Sequence, residues 1–345
     1  MTQITPTADT GPATPEPVSA PDSKPTSSGR LKDLARIRPS LARDYGIVLI
    51  LLLLFVVLSV ASSAFFTGHN LLNILQENAP IGCVAVGTTL CFISGGFDLS
   101  IGASYAMGGV VAALLVSPLG PIPALIVGVL TGFGLGVMNG LIVTIGRINP
   151  FVTTLATSII VGGVAAVIHG GAPILVSNTT FGVIGTNTIF GLRIETVIWI
   201  VFTLLCGFVL QRTVLGRYIY ALGGSEEATR LSGVRVSWVR LICYGISGLG
   251  AALGGVMIAS QTNAGVASAG GFSLAVTAVA GVVIGGTSIM GGEGAVWRTV
   301  VGVLILALIA NGFDLLSVDP NWQAAFQGSL IIAAVGADTW ARRSS

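Results

Sequence analysis

Six charged side chains, Arg217, Glu226, Glu227, Arg230, Arg235 and Arg240, fall within residues 217–240 of a chain in which only 9% of residues are charged. Long apolar runs flank them on both sides. Residues able to do covalent chemistry are scarce elsewhere. His69 and His169 stand alone. Cys83, Cys91, Cys206 and Cys243 show neither CxxC nor another metal-binding spacing, and read as small apolar residues. The sequence contains no H-E-x-x-H and no G-x-S-x-G. Its only lysines, Lys24 and Lys32, do not complete a phosphate-binding G-x-x-x-x-G-K-[ST] loop, so this chain does not hydrolyse ATP by that route. What remains is ion pairing, helix capping and hydrogen bonding. The chain is expected to hold no catalytic residue, no metal and no cofactor of its own.

The charged window reads as a short helix. Gly223 and Gly224 break what precedes it. Ser225 is a good N-cap, and Glu226 and Glu227 then occupy the first turn, where the helix dipole favours anions. Glu226 and Arg230 have the favourable i, i+4 order. Ser232 and Gly233 end the element, glycine being a natural C-terminal stop. Ala228 and Leu231 make a small apolar face. About two turns of helix are not stable alone in water, so something must pack on it. That support is either the rest of this chain or a partner in the cytosol.

The elements around the window belong to a membrane. Hydrophobic residues make up 53% of the 345 residues and mean hydropathy is +0.91, whereas an ordinary soluble domain is about a quarter charged. Ten apolar segments approach spanning length, about 20 residues: 46–65, 75–95, 101–118, 121–146, 150–169, 194–212, 240–260, 273–290, 297–315 and 322–340. The second opens with semipolar NLLNILQENAP, expected along the interface. The sequence thus predicts an all-α polytopic membrane protein. Residues 1–29, rich in Pro, Ser and Thr, read as a disordered tail, 30–45 as a basic juxtamembrane segment, and 46–343 as the transmembrane domain with loop 217–240. With the N-terminus in the cytoplasm, fifteen of the sixteen Lys and Arg residues fall inside and only Arg193 outside. That asymmetry supports both the count and cytoplasmic N- and C-termini.

Polar residues inside such a chain are costly and carry functional weight. Asp98, flanked by Gly95-Gly96 and Ser100, reads as the N-cap of the span 99–118 and as a gating residue. Asn139, Asn149, Thr153, Thr154 and Asn311 are further candidates for a translocation path or gate; Asn149 also suits an N-cap before Pro150. Gly128, Gly132, Gly136 and Gly140 recur every four residues, and the pairs Gly250–Gly254 and Gly281–Gly285 repeat the spacing, as close helix packing requires. ISGGFDLSIG (93–102) and SIMGGEGAVW (288–297) echo one another. The polar loop 170–193 is a candidate external docking surface. Trp199 and Trp322 read as interfacial anchors on the lipid side.

ALGGSEEATRLSGV, NLLNIL (70–75), ISGGFDLSIGA (93–103), NPFVTTLAT (149–157) and MGGEGAVWRTVVGVLILALIANGFDLL (290–316) together resemble the permeases of bacterial ABC-type monosaccharide importers, the ribose, xylose and galactose group. The resemblance covers roughly 70–340. It implies a fold similar to the cobalamin-importer-type permease and a homodimer in the bacterial inner membrane. It also implies a cytoplasmic ATPase subunit that binds ATP and Mg, and an extracytoplasmic sugar-binding protein. By the same resemblance Ser225, Glu226, Glu227, Ala228, Arg230, Leu231, Ser232 and Gly233 couple the chain to the ATPase. The cargo would be a monosaccharide or related polyol, moved by alternating access; no nucleic acid is implied. An ion-coupled secondary transporter acting as a single chain is the alternative. Its only near-embedded acids, Asp98 and Asp314, both lie by span ends, which counts against it.

Overall fold

The computed structural model describes residues 45–319 and, beyond these, 321–323, 325, 326, 328–330, 332 and 336. The predicted segments 1–29 and 30–45, the latter save Tyr45, lie outside the described residues, as does most of the tenth span.

Helices dominate. In chain order they are α1 (Tyr45–Ala61), α2 (Gly68–Glu77), α3 (Ala79–Ile93), α4 (Ile101–Leu119), α5 (Pro121–Ile145), α6 (Pro150–His169), α7 (Val183–Thr186), α8 (Ile194–Arg212), α9 (Val214–Gly224), α10 (Glu226–Leu231), α11 (Val236–Thr262), α12 (Phe272–Ile284) and α13 (Val296–Leu315). Among the described residues, seven stretches are long and apolar enough to cross a membrane: α4, α5, α6, α8, α11, Ala267–Ile284 and α13. α1 and α3 are apolar but shorter. Ten spans are therefore more than the described residues establish.

Two predicted spans are cut short by glycine. α3 stops at Ile93 because Gly95 takes a left-handed conformation (φ +76°), and α12 stops at Ile284 ahead of Gly286 (φ +72°). The chain is broken in the same way after both. The stretch expected to lead into the second span is a separate helix, α2, ended at Asn78 before Pro80.

α11 is the centre of the bundle and packs on α5, α3 and α4. Its glycines make this possible on three flanks. Gly248 faces Gly132 of α5, Gly250 and Gly254 lie on the carbonyls of Cys83 and Pro80 in α3, and Gly255 lies on Tyr105 of α4. The α5 row answers in kind: Gly132 meets Ala252 and Gly248, and Gly136 meets the Tyr244 carbonyl. Backbones this close leave no room for a β-carbon. Apolar side chains such as Ile159, Val167 and Leu204 remain exposed on the outer helices, as suits a surface whose solvent is lipid.

Among the described residues, four two-residue strands occur at the ends of α6, α8 and α11. β1 (Ile174–Leu175) pairs antiparallel with β4 (Ala264–Gly265), and β2 (Thr188–Ile189) with β3 (Leu192–Arg193). Segment 170–193 is thus partly ordered by pairing to the end of α11. Trp199 does not face lipid. It is buried, its indole filling the place a side chain on Gly82 would occupy, whereas Trp322 is exposed.

Candidate functional site

Between α3 and α4 the chain runs unwound from Ser94 to Ser100, with most of its residues buried. Backbone there must find partners outside a helix. Two neighbours supply them, and a third holds the Ser100 side chain. The Tyr244 hydroxyl on α11 accepts from the Phe97 N–H and lies 3.2 Å from the Phe97 carbonyl. The Thr154 hydroxyl on α6 accepts from the Leu99 N–H (3.1 Å) and contacts the Phe97 carbonyl at 3.2 Å. Asn139 on α5 donates to Ser100 Oγ (2.7 Å).

Asp98 sits at the middle of this knot, fully buried. One carboxylate oxygen accepts from the Ser100 N–H (3.0 Å) and hydroxyl (2.6 Å); the other accepts from Ser247 Oγ on α11 (2.8 Å). The expected N-cap is therefore corrected. α4 begins at Ile101, Ser100 holds the cap position, and Asp98 closes a turn one step earlier while reaching across to α11. The pull of the Ser247 hydroxyl aims the carboxylate inward and away from the start of α4.

The charged window is built as a helix, with two corrections. Ser225 Oγ accepts from the Ala228 N–H, and Gly233 (φ +81°) ends α10, its N–H donating to the Arg230 carbonyl. α9, however, continues through Gly223 and Gly224 and stops only at Ser225. Glu226 also does not pair with Arg230: its carboxylate accepts from Arg240 on α11 at 2.6 Å. A base anchored in α11 outcompetes one on the same short helix. Glu227, Ala228, Arg230 and Leu231 stand exposed, and the only buried α10 side chain is Thr229.

Gly223 is the join between window and knot. A β-carbon there would strike the Ile93 carbonyl and the Gly292 N–H. Gly292 N–H itself donates to the Ile93 carbonyl (2.9 Å), and Gly291 lies against both Gly95 and Gly223. The two echoing Gly-Gly breaks thus meet each other and the end of α9. Tyr220, one turn earlier, donates to the Gly294 carbonyl (2.8 Å). Burial pushes its phenol up and the Arg298 charge opposes this, so the hydroxyl stays a proton donor.

Of the other expected path residues, Asn139 and Thr154 reach this region, and Thr153, beside Thr154 on α6, is buried. Asn139 Oδ1 and Thr153 Oγ1 are buried without a hydrogen-bond partner. Asn149 is an exposed N-cap, accepting from the Phe151 and Val152 N–H groups. Asn311 is elsewhere: it exchanges two amide hydrogen bonds with Asn70, pinning α2 to α13. Asp314 is exposed. Sequence reasoning missed Tyr244 and Ser247. Their signal was available, since Arg240, Tyr244 and Ser247 recur at i, i+4 and i+7 as a polar stripe on an otherwise apolar, glycine-rich helix.

Helices fit to cross a membrane, an unwound polar break between α3 and α4 and a charged helix tied to α11 describe a multi-pass membrane protein. The sequence model of the family described as "Branched-chain amino acid transport system / permease component" matches residues 70–335. The chain is 38% identical over 296 residues to the ribose import permease protein RbsC of Escherichia coli, covering 84% of this chain and 91% of that one. It is 34% identical to the D-allose transport system permease protein AlsC (85% and 91% covered) and 32% identical to the L-arabinose transport system permease protein AraH (87% and 92%), both of Escherichia coli. No solved structure matches. The chain belongs to this family of permease components. It is the translocation-path subunit of an importer and not an enzyme, and the energy for transport comes from a separate ATPase subunit.

Proposed function

We propose that this chain imports a monosaccharide or related polyol as one half of a permease homodimer, with α10 as its coupling helix to the ATPase. The family description names branched-chain amino acids, but the relatives described above are named for ribose, allose and arabinose, and their similarity spans most of both chains. In this reading the chain has ten spans in the bacterial inner membrane and a fold of the cobalamin-importer type. Both termini are cytoplasmic, 1–29 is a tail, 30–45 a basic collar and 46–343 the permease domain. ATP and Mg bind the partner ATPase, and an extracytoplasmic sugar-binding protein delivers the cargo. Ser225, Glu226, Glu227, Ala228, Arg230, Leu231, Ser232 and Gly233 form the coupling element. Asp98, Asn139, Thr153 and Thr154 form the gate. Asn149 and Asn311 serve it by fixing the ends of α6 and α13.

One observation carries the mechanism. Arg240, Tyr244 and Ser247 lie on one face of α11 and bind, in turn, Glu226 of α10, Phe97 and Asp98. When ATP closes the ATPase subunits, α10 moves with them. α11 is one continuous helix packed through its glycines on α3, α4 and α5, so the displacement reaches the Asp98 loop, while the Gly223 junction carries it to the break after α12. No covalent step occurs in this chain; the work is a shift between two packings. The test is Glu226→Ala with Glu227→Ala in the whole importer. Sugar uptake is expected to fall at least tenfold with the chain still folded in the membrane, and co-purification with a P-loop ATPase should be lost. Uptake at the parental rate by that double variant would sink the coupling role.

A further inference from the structure

A furrow of about 230 Å³ opens between α5, α7, α8 and α11. Leu125, Val129 and Leu130 of α5, Ile184 of α7, Ile198 of α8 and Val256 of α11 are among its walls, and every side chain that lines it is apolar. It exists because α5 packs on α4 and α11 while α8 packs on α3, which leaves a gap between α5 and α8. Ile126 and Leu130 stand exposed at its rim. α8 starts at Ile194 and leads through α9 to α10, so Ile198 places the furrow in the half of the bundle remote from α10. α5, α8 and α11 are each long and apolar enough to cross a membrane, so the medium over this gap is hydrocarbon. Leu125 and Leu130 lie about 6 and 14 Å along α5 from its first residue, the depth of acyl chains in one leaflet of a ~30 Å core.

Charged groups stand directly above. Ile198 is one turn from Glu195 on α8, and Glu195 holds Arg193 through a 3.2 Å ion pair. α7, which supplies Ile184, packs on β3, which carries Arg193. The Arg193 side chain is 28% exposed and makes no other hydrogen bond among the described residues, so most of its guanidinium N–H donors stay open. Glu195 is fully buried. Glu77, at the end of α2, is exposed and close enough to Glu195 to repel it. Two carboxylates against one guanidinium leave negative charge in excess, which disfavours a purely anionic headgroup. A zwitterionic headgroup fits: its phosphate oxygens accept from Arg193, and a primary ammonium donates to Glu77.

We propose that the furrow and the charges above it form a binding site for one aminophospholipid of the phosphatidylethanolamine class, with an acyl chain between α5 and α8 and the headgroup on Arg193 and Glu77. The lipid supplies the packing that these two helices do not give each other. The test needs no sugar, so its outcome is separate from the import reading. The full-length chain is purified in mild detergent, mixed with equal amounts of dioleoyl phosphatidylethanolamine, phosphatidylglycerol and phosphatidylcholine, and weighed by native mass spectrometry. The parent is expected to retain phosphatidylethanolamine severalfold over the other two. Val129→Trp fills the furrow and should lose that retention. Glu77→Gln removes the partner of the ammonium and should bring phosphatidylethanolamine down to the phosphatidylcholine level. Leu204→Trp, an enlargement on an exposed face of α8 outside the furrow, should keep the parental pattern. Equal retention of all three lipids by the parent means general solvation by lipid and overturns the site. Parental retention in either Val129→Trp or Glu77→Gln overturns it too, as does a loss in Leu204→Trp. Should Val129→Trp fail to fold, Glu77→Gln, a change at an exposed residue, decides alone.

Discussion

Glu226 of α10 and Arg240 of α11 are joined by a 2.6 Å charge-assisted hydrogen bond across fourteen residues of chain. Glu226 is about half exposed, and exposed pairs contribute about 0.2–1 kcal/mol. That is too little to hold the fold, so the pair's value is directional: it sets α10 at one angle to α11. Reversing either charge, Glu226→Arg or Arg240→Glu, is expected to lower uptake fivefold or more with little change in thermal stability. The double reversal should recover a substantial part, which a double-mutant uptake cycle measures.

Asp98 satisfies two hydroxyls and one backbone N–H in the interior. Asp98→Ala leaves these without an acceptor, at about 1–3 kcal/mol for each buried group stranded. Asp98→Asn keeps one oxygen for Ser100 and offers an amide N–H to the Ser247 oxygen. The alanine variant is expected to unfold at clearly lower temperature in detergent, and the asparagine variant within a few degrees of the parent.

Gly223 and Gly224 are adjacent, yet their surroundings are opposite. A methyl on Gly223 meets the Ile93 carbonyl and Gly292 backbone; one on Gly224 meets nothing within 4 Å. Overpacking of this kind costs about 1–3 kcal/mol. Gly223→Ala is expected to abolish most uptake, and Gly224→Ala to leave it near parental.

The same contrast exists inside α5. Gly132 abuts Ala252 and Gly248 of α11, whereas Gly134 faces open space. Gly132→Ala should lower the yield of folded protein in detergent size-exclusion chromatography. Gly134→Ala, which replaces glycine by the better helix former, should match or exceed the parent.

The helices were legible because hydropathy and length are summed over many residues. α4, α5, α6, α8 and α13 begin and end within a residue of the segments read from sequence. The glycine rows also declared their purpose, since close packing is the common reason for such spacing. Errors came where a distant residue outbid a local rule. Asp98 obeys Ser247, 149 residues away, and not the helix it precedes. Glu226 obeys Arg240 and not Arg230. Trp199 looked interfacial because nothing nearby in sequence revealed the vacancy at Gly82. The meeting of the two Gly-Gly breaks was visible as an echo, but their contact with Gly223 is a property of the packed chain alone.

The three-sided glycine packing of α11 bears on how the protein is made. Translation delivers α3, α4 and α5 to the bilayer before α11 exists, so their small-residue faces first meet lipid. Lipid chains fill such a groove poorly, and although α4 and α5 already pack on each other, the faces turned to α11 gain their close contacts only when it enters. A nascent chain cut before Val236 therefore lacks the helix on which α3, α4 and α5 converge, and a quality-control protease has its clearest chance to act on this protein in the interval before the eleventh helix is released.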